Sequence, residues 1–144
     1  MQYHRGFTLV ELIVVLIIIG VLAVSLVPRF FTASGTSEYL YRDQLLSLLR
    51  QVQIQAMQCT SCTLQPVNIT ANTARVGSAA CDSSDPMLAV CVASRDAVSF
   101  SPAGNISFDA MGRPACSAGS CTVQVQGEST LRLCIESEGY IHPC

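Results

Sequence analysis

The chain has 144 residues, 50 % of them hydrophobic and 12 % charged, with a formal net charge of −2. It contains no lysine, and its eight arginines are scattered among ten carboxylates, so no basic patch or tail is available to follow a nucleic-acid backbone. The length suits one domain, but the hydrophobicity is concentrated at the front, and the remainder is long enough for a small core only.

Six residues, MQYHRG, precede an apolar run over residues 7–27, FTLVELIVVLIIIGVLAVSLV, whose one charge is Glu11 and whose one turn residue is Gly20. At ~1.5 Å per helical residue such a run reaches across a bilayer core of ~30 Å. In lipid it has to be helical, because bare backbone groups have no partner there. A cleaved secretory signal is the competing reading. The run is longer than a signal's apolar region, and it is followed by Pro28-Arg29-Phe30-Phe31 instead of a small-x-small site. It also carries Glu11, and a carboxylate in hydrocarbon is costly unless it is paired, protonated or within reach of the headgroups.

The arrangement Gly6-Phe7-Thr8-Leu9-Val10-Glu11, behind a short basic leader and ahead of continuous Ile, Val and Leu, resembles the processing site of type IV pilins and the related secretion-system pseudopilins. The resemblance covers roughly the first 25 residues. It implies that a prepilin peptidase cuts between Gly6 and Phe7 and methylates Phe7, which makes Glu11 the fifth mature residue. Loss of the leader removes Arg5 and leaves seven arginines against ten carboxylates, 7 − 10 = −3. It further implies that Glu11 pairs with the terminal amine of a neighbouring subunit in a helical filament, where an unpaired charge is penalised. The implied partners are the prepilin peptidase, other pilin subunits and the inner-membrane pilus assembly machinery. The implied location is a single pass of the bacterial inner membrane with the C-terminal domain in the periplasm, then a surface filament.

Pro28 removes a backbone donor and crowds the preceding turn, so it predicts a bend or fraying. Residues 37–58 read as helix again: Leu45, Leu48, Leu49, Val52 and Ala56 recur at three- and four-residue steps among polar side chains. The expectation is one long bent helix that anchors with its first half and lays an apolar stripe on a domain with its second. The boundaries are a leader at 1–6, an apolar helix at 7–28, an amphipathic helix at 29–58 and a cysteine-rich β domain at 59–144.

All eight cysteines, Cys59, Cys62, Cys81, Cys91, Cys116, Cys121, Cys134 and Cys144, lie in that last part. An even number behind a membrane-targeting segment argues for disulfides in an oxidising compartment. Cys59 and Cys62 form a CxxC at a helix C-terminus with no cationic neighbour, the wrong end for a redox thiolate. Zinc would need two more well-placed ligands. Connectivity is open to on the order of a hundred pairings; neighbours in sequence, Cys59 with Cys62, Cys81 with Cys91, Cys116 with Cys121 and Cys134 with Cys144, each close a short loop.

Short strands are expected from Leu64 onward. Residues 64–70 read as an edge strand because of Pro66, and 82–86 as a turn. Residues 87–93 and 97–100 read as strands, the latter pairing back onto 106–108 through a turn at 101–105. A turn at 109–114 follows. Residues 122–126 and 130–136 alternate cleanly and make the clearest hairpin, and 139–142 closes the sheet. The class is α+β, a helix packed on an antiparallel sheet. The strand-rich part, with Phe108 and Gly112 in a turn, resembles secretion-pseudopilin H and twitching-pilus minor subunits. With its cysteines it looks most like a minor pilin of the mannose-sensitive haemagglutinin pilus.

No cofactor, metal site or catalytic constellation is expected. Ser99 and Ser101 have no base in company, His4 leaves with the leader, and His142 stands without a nucleophile. Asp82, Asp85 and Asp96 lack calcium-loop spacing. The Asn68 and Asn105 sequons fit turn composition. The expected role is a structural pilus subunit, a minor pilin that primes assembly, sits at the tip or contributes to adhesion. The alternatives are a major pilin, a type II secretion pseudopilin or, against the missing basic patch, a DNA-binding minor pilin.

Overall fold

The computed structural model describes residues 8–31, 36–59, 61, 64–81, 88–119 and 121–144, with backbone alone for 24–31. The chain divides into two units, Met1–Ala33 and Ser34–Cys144. The first is helix α1, Leu9–Phe31. Thr8 starts it: its hydroxyl accepts the Glu11 N–H at 3.2 Å and its carbonyl the Leu12 N–H at 3.3 Å. The helix continues past Pro28 to Phe31. Within it, every side chain over residues 9–23 is exposed.

The second unit opens with α2, Ser37–Gln58. The expected long helix is supported in part: α1 and α2 cover Leu9–Phe31 and Ser37–Gln58, and residues 32–35 between them lie outside the described residues. The predicted stripe is the buried face of α2: Leu45, Leu48, Leu49, Val52 and Ala56 are all buried, joined by Glu38 and Tyr41. Burying such a stripe stabilises by ~25 cal/mol for each Å² removed from water, and here it meets two sheets.

Nine short strands follow: β1 Val67–Ile69, β2 Thr73–Val76, β3 Ala89–Cys91, β4 Ser99–Ser101, β5 Gly104–Phe108, β6 Pro114–Cys116, β7 Thr122–Gln126, β8 Thr130–Ile135 and β9 Ile141–Pro143. They form a five-stranded sheet in the order β3-β2-β1-β5-β6 and a four-stranded sheet in the order β4-β7-β8-β9. Every pairing is antiparallel. Helix α2 packs on β3 and β5 of the first sheet and on β7, β8 and β9 of the second. Leu45 and Leu49 from the helix, Val67 from the first sheet, and Val125 and Leu133 from the second have no exposed surface.

The domain is α+β as expected, with three corrections. There are two sheets, not one. The expected β4–β5 hairpin does not form, because the chain passes from one sheet to the other between Ser101 and Gly104. And β1 is the middle strand of its sheet, not an edge: Pro66 lies one residue ahead of the ladder, so its missing N–H costs no bond, and its carbonyl accepts the Gly77 N–H at 2.9 Å. Strands β2 and β6 were not expected at all. The β7–β8 hairpin is present in the predicted register region, Thr122 opposite Cys134 and Gln126 opposite Thr130. The turn expected at 82–86 lies outside the described residues.

Disulfides join Cys81 to Cys91, Cys116 to Cys121 and Cys134 to Cys144, with Cα separations of 5.8, 5.5 and 5.8 Å. These are three of the sequence-neighbour pairs. Cys59 is also disulfide-bonded; its expected partner Cys62 lies outside the described residues.

Candidate processing and assembly site

Gly6 and Phe7, the expected cleavage position, lie outside the described residues, and the structure takes up the chain at Thr8. The sequence Thr8-Leu9-Val10-Glu11 is a capping pattern, in which a hydroxyl accepts the third helical N–H and a glutamate stands at that third position. The physical task of Thr8 is local: its hydroxyl satisfies one of the free donors at the start of the helix. A cut after Gly6 would leave Phe7 as the N-terminal residue, four positions ahead of Glu11 in the sequence.

Glu11 is exposed, as are Leu9, Val10, Leu12 and Ile13 around it. A helix apolar on all sides has no hydrophilic face to turn to water, so it requires a cover of lipid or of other helices. Among the described residues no helix is long and apolar enough to cross a membrane. Residues 9–23, whose side chains are described, would span about 22 Å at ~1.5 Å per residue, against ~30 Å of hydrocarbon. The sequence run extends to Val27.

The other residues considered for chemistry occupy structural positions. Ser99 and Ser101 lie in β4. Asp96 accepts a 2.6 Å hydrogen bond from the buried Tyr41 hydroxyl, which in turn accepts the Ala93 N–H at 3.1 Å. Burial, and then the bond to Asp96, push the Tyr41 phenol up from its ordinary value. Asp82 and Asp85 lie outside the described residues. His142 Nε2 is 3.0 Å from Glu136 Oε1, its Nδ1 is 2.9 Å from the Pro143 carbonyl oxygen, and its ring stacks on Tyr140 with centroids 4.8 Å apart. The hydrogen bond to Glu136 raises the His142 pKa above its usual value. Among the described residues no group of three His, Cys, Asp or Glu side chains is placed to hold a metal ion. Asn68, in one of the two sequons, donates from its amide to the Gly77 carbonyl at 2.7 Å.

Residues 1–27 match the prokaryotic N-terminal methylation motif. No curated protein and no solved structure matches the chain. The motif supports a type IV pilin-like protein, and with it processing by a prepilin peptidase and assembly with other pilins.

Proposed function

We propose that this chain is a structural subunit of a type IV pilus or pilus-like filament, and not an enzyme. Within that class we assign it to the minor pilins of the mannose-sensitive haemagglutinin type, which prime or support assembly and contribute to adhesion from the tip. The observation that carries the pilin reading is the methylation motif over residues 1–27, and the minor-subunit assignment rests on the resemblance of the strand-rich, cysteine-rich part. The exposure of residues 9–23, apolar but for Glu11, agrees with the pilin reading. Before assembly, the apolar run is stored in the inner membrane. In the filament, helix-to-helix packing replaces lipid, an exchange with little hydrophobic gain, so close packing and the Glu11 pair set the geometry. A domain stapled by disulfides suits an exposed position outside the cytoplasm, in a minor or a major subunit alike.

Three measurements test it. Mass analysis of the protein from cells with active prepilin peptidase is expected to find methylated Phe7 at the N-terminus. Glu11→Ala is expected to leave cleavage intact and to reduce incorporation into sheared filaments by at least about tenfold, the loss produced by one unpaired charge in a dry contact. A deletion strain that loses surface filaments, while the wild-type filament holds the protein in trace amount, identifies a minor subunit. Abundant incorporation identifies a major pilin. A chain that still begins at Met1, with Glu11→Ala incorporated normally, overturns the reading.

A further inference from the structure

The first turn of α2 is held to the domain differently from the rest of the helix. From Leu45 to Ala56 the buried side chains are all apolar, and Arg50 and Gln53 add hydrogen bonds at the margin of that face. Among residues 37–40 only Glu38 is buried, at 2 % exposure, while Tyr39 and Leu40 are 46 % and 55 % exposed. Its carboxylate reaches into the β7–β8 turn, 91 residues away along the chain, where Oε1 accepts the Ser129 hydroxyl at 2.8 Å and the Ser129 N–H at 3.2 Å. The other oxygen, Oε2, is buried with no hydrogen-bond partner. Gly127 closes over it so tightly that an added Cβ would stand 2.8 Å from Oε2.

The buried, unpartnered Oε2 opposes ionisation, and two other features of this geometry favour it. Ionised, the carboxylate accepts two charge-assisted bonds and lies in the first turn, where the helix dipole favours a negative charge. Protonated, it would lose the charge that strengthens both bonds and that the helix dipole favours. We propose that Glu38 is an acid-release latch: ionised, it docks the first turn of α2 on the β7–β8 turn; protonated, it lets residues 37–40 come away while residues 45–56 stay packed.

The sign follows from the partners. The Ser129 hydroxyl, then the residue's own N–H, hold the Glu38 pKa below its ordinary value of 4.5, with burial opposing. A depressed folded value means that the docking contribution is complete above about 4.5 and is lost as pH falls through the folded value. The charged groups nearby do not offer a substitute. Glu128 lies in the same turn and carries the same sign. Arg42, one turn on, is 2.8 Å from Asp43 and lies over the Tyr39 ring. Asp96 holds Tyr41, and Arg95 lies 3.5 Å from Asp96.

The test is hydrogen exchange of the full chain in detergent micelles, corrected for intrinsic rates, from about pH 7 to about pH 3. Protection over residues 40–42, whose N–H groups bond back onto residues 36–38, is expected to fall about tenfold below pH 4.5 while residues 45–56 keep theirs. Glu38→Gln is expected to show the fast exchange already at neutral pH, with no further change on acidification. Ser129→Ala keeps the fold and one of the two bonds, and is expected to move the midpoint to higher pH. Uniform loss along α2, or an unmoved midpoint in Ser129→Ala, overturns the latch whatever becomes of Glu38→Gln.

Discussion

Gly139 shows how a single atom limits this fold. It holds φ +92° between β8 and β9, and a Cβ there would overlap the Gly112 carbonyl oxygen. Gly112, itself at φ +78°, comes from the β5–β6 turn of the other sheet. The two turns meet around Gln53 of α2, whose amide nitrogen donates to the Gly112 carbonyl at 2.7 Å and to the Gly139 carbonyl at 2.6 Å. The β5–β6 turn is shaped locally as well: Asp109 accepts the Met111 and Arg113 N–H groups at 2.9 and 2.8 Å, and the Arg113 N–H bond leads the effects that hold its carboxyl below the usual range. Gly139→Ala would combine a disfavoured backbone with a collision against backbone, and is expected to destabilise the domain by roughly 2–4 kcal/mol. Urea unfolding measures it, and a loss under about 0.5 kcal/mol would mean that the turns separate easily.

At the scale of elements, the four outer strands explain why so many cysteines sit where they do. An open strand edge is a template for unwanted pairing. Edge strand β3 ends in Cys91, tied to Cys81; β6 ends in Cys116, tied to Cys121 at the foot of β7; β9 runs into Cys144, tied to Cys134 of β8. Edge strand β4 has no cysteine, and there the Phe100 N–H donates to the Ala71 carbonyl at 2.8 Å. On β9, Arg50 also takes the Ile141 carbonyl at 3.1 Å, and Pro143 has no N–H to offer. The Cys116–Cys121 bridge joins the two sheets across a separation of five residues. Replacing both by serine is expected to cost about 2 kcal/mol by loop-closure entropy. Loosened amide protection should concentrate at β6 and the start of β7, with β8 and β9 spared. Much of this architecture was legible beforehand. Leu45, Leu48, Leu49, Val52 and Ala56 repeat often enough to reveal a buried face, and the β7–β8 strands are long enough for alternation to show. Three disulfides fell on sequence neighbours because each ties off a nearby strand end. Strands β2 and β6 span four and three residues, too short for a period to declare itself. Glu38 reads as an ordinary first-turn glutamate, since its partner Ser129 is remote in sequence. The division into two sheets rests on long-range pairing that no local pattern encodes.

For the whole molecule, the two units have opposite relations to water. Residues 34–144 contain their own core, drawn from one helix and two sheets, with bridges at the sheet margins. Helix α1 has apolar side chains exposed at Leu12, Ile13, Leu16, Ile17, Ile19 and Leu22 alike, from 46 % to 61 %. Each such side chain gains ~1.5–3 kcal/mol on leaving water, so this unit is stable only in company. The consequence is separability. A fragment of residues 34–144, exported to an oxidising compartment, is expected to be monomeric in aqueous buffer without detergent. It should unfold in one cooperative step, at a temperature within a few degrees of the domain transition of the full chain in micelles. Reduction should lower that temperature by roughly ten degrees or more, because several kcal/mol of bridging are lost from a domain of this size. Calorimetry with and without reductant reads all of this. A fragment that is unfolded or aggregated when oxidised would mean that α1 contributes to the domain's stability. The chain would then be one cooperative body, not a storable anchor carrying an independent head.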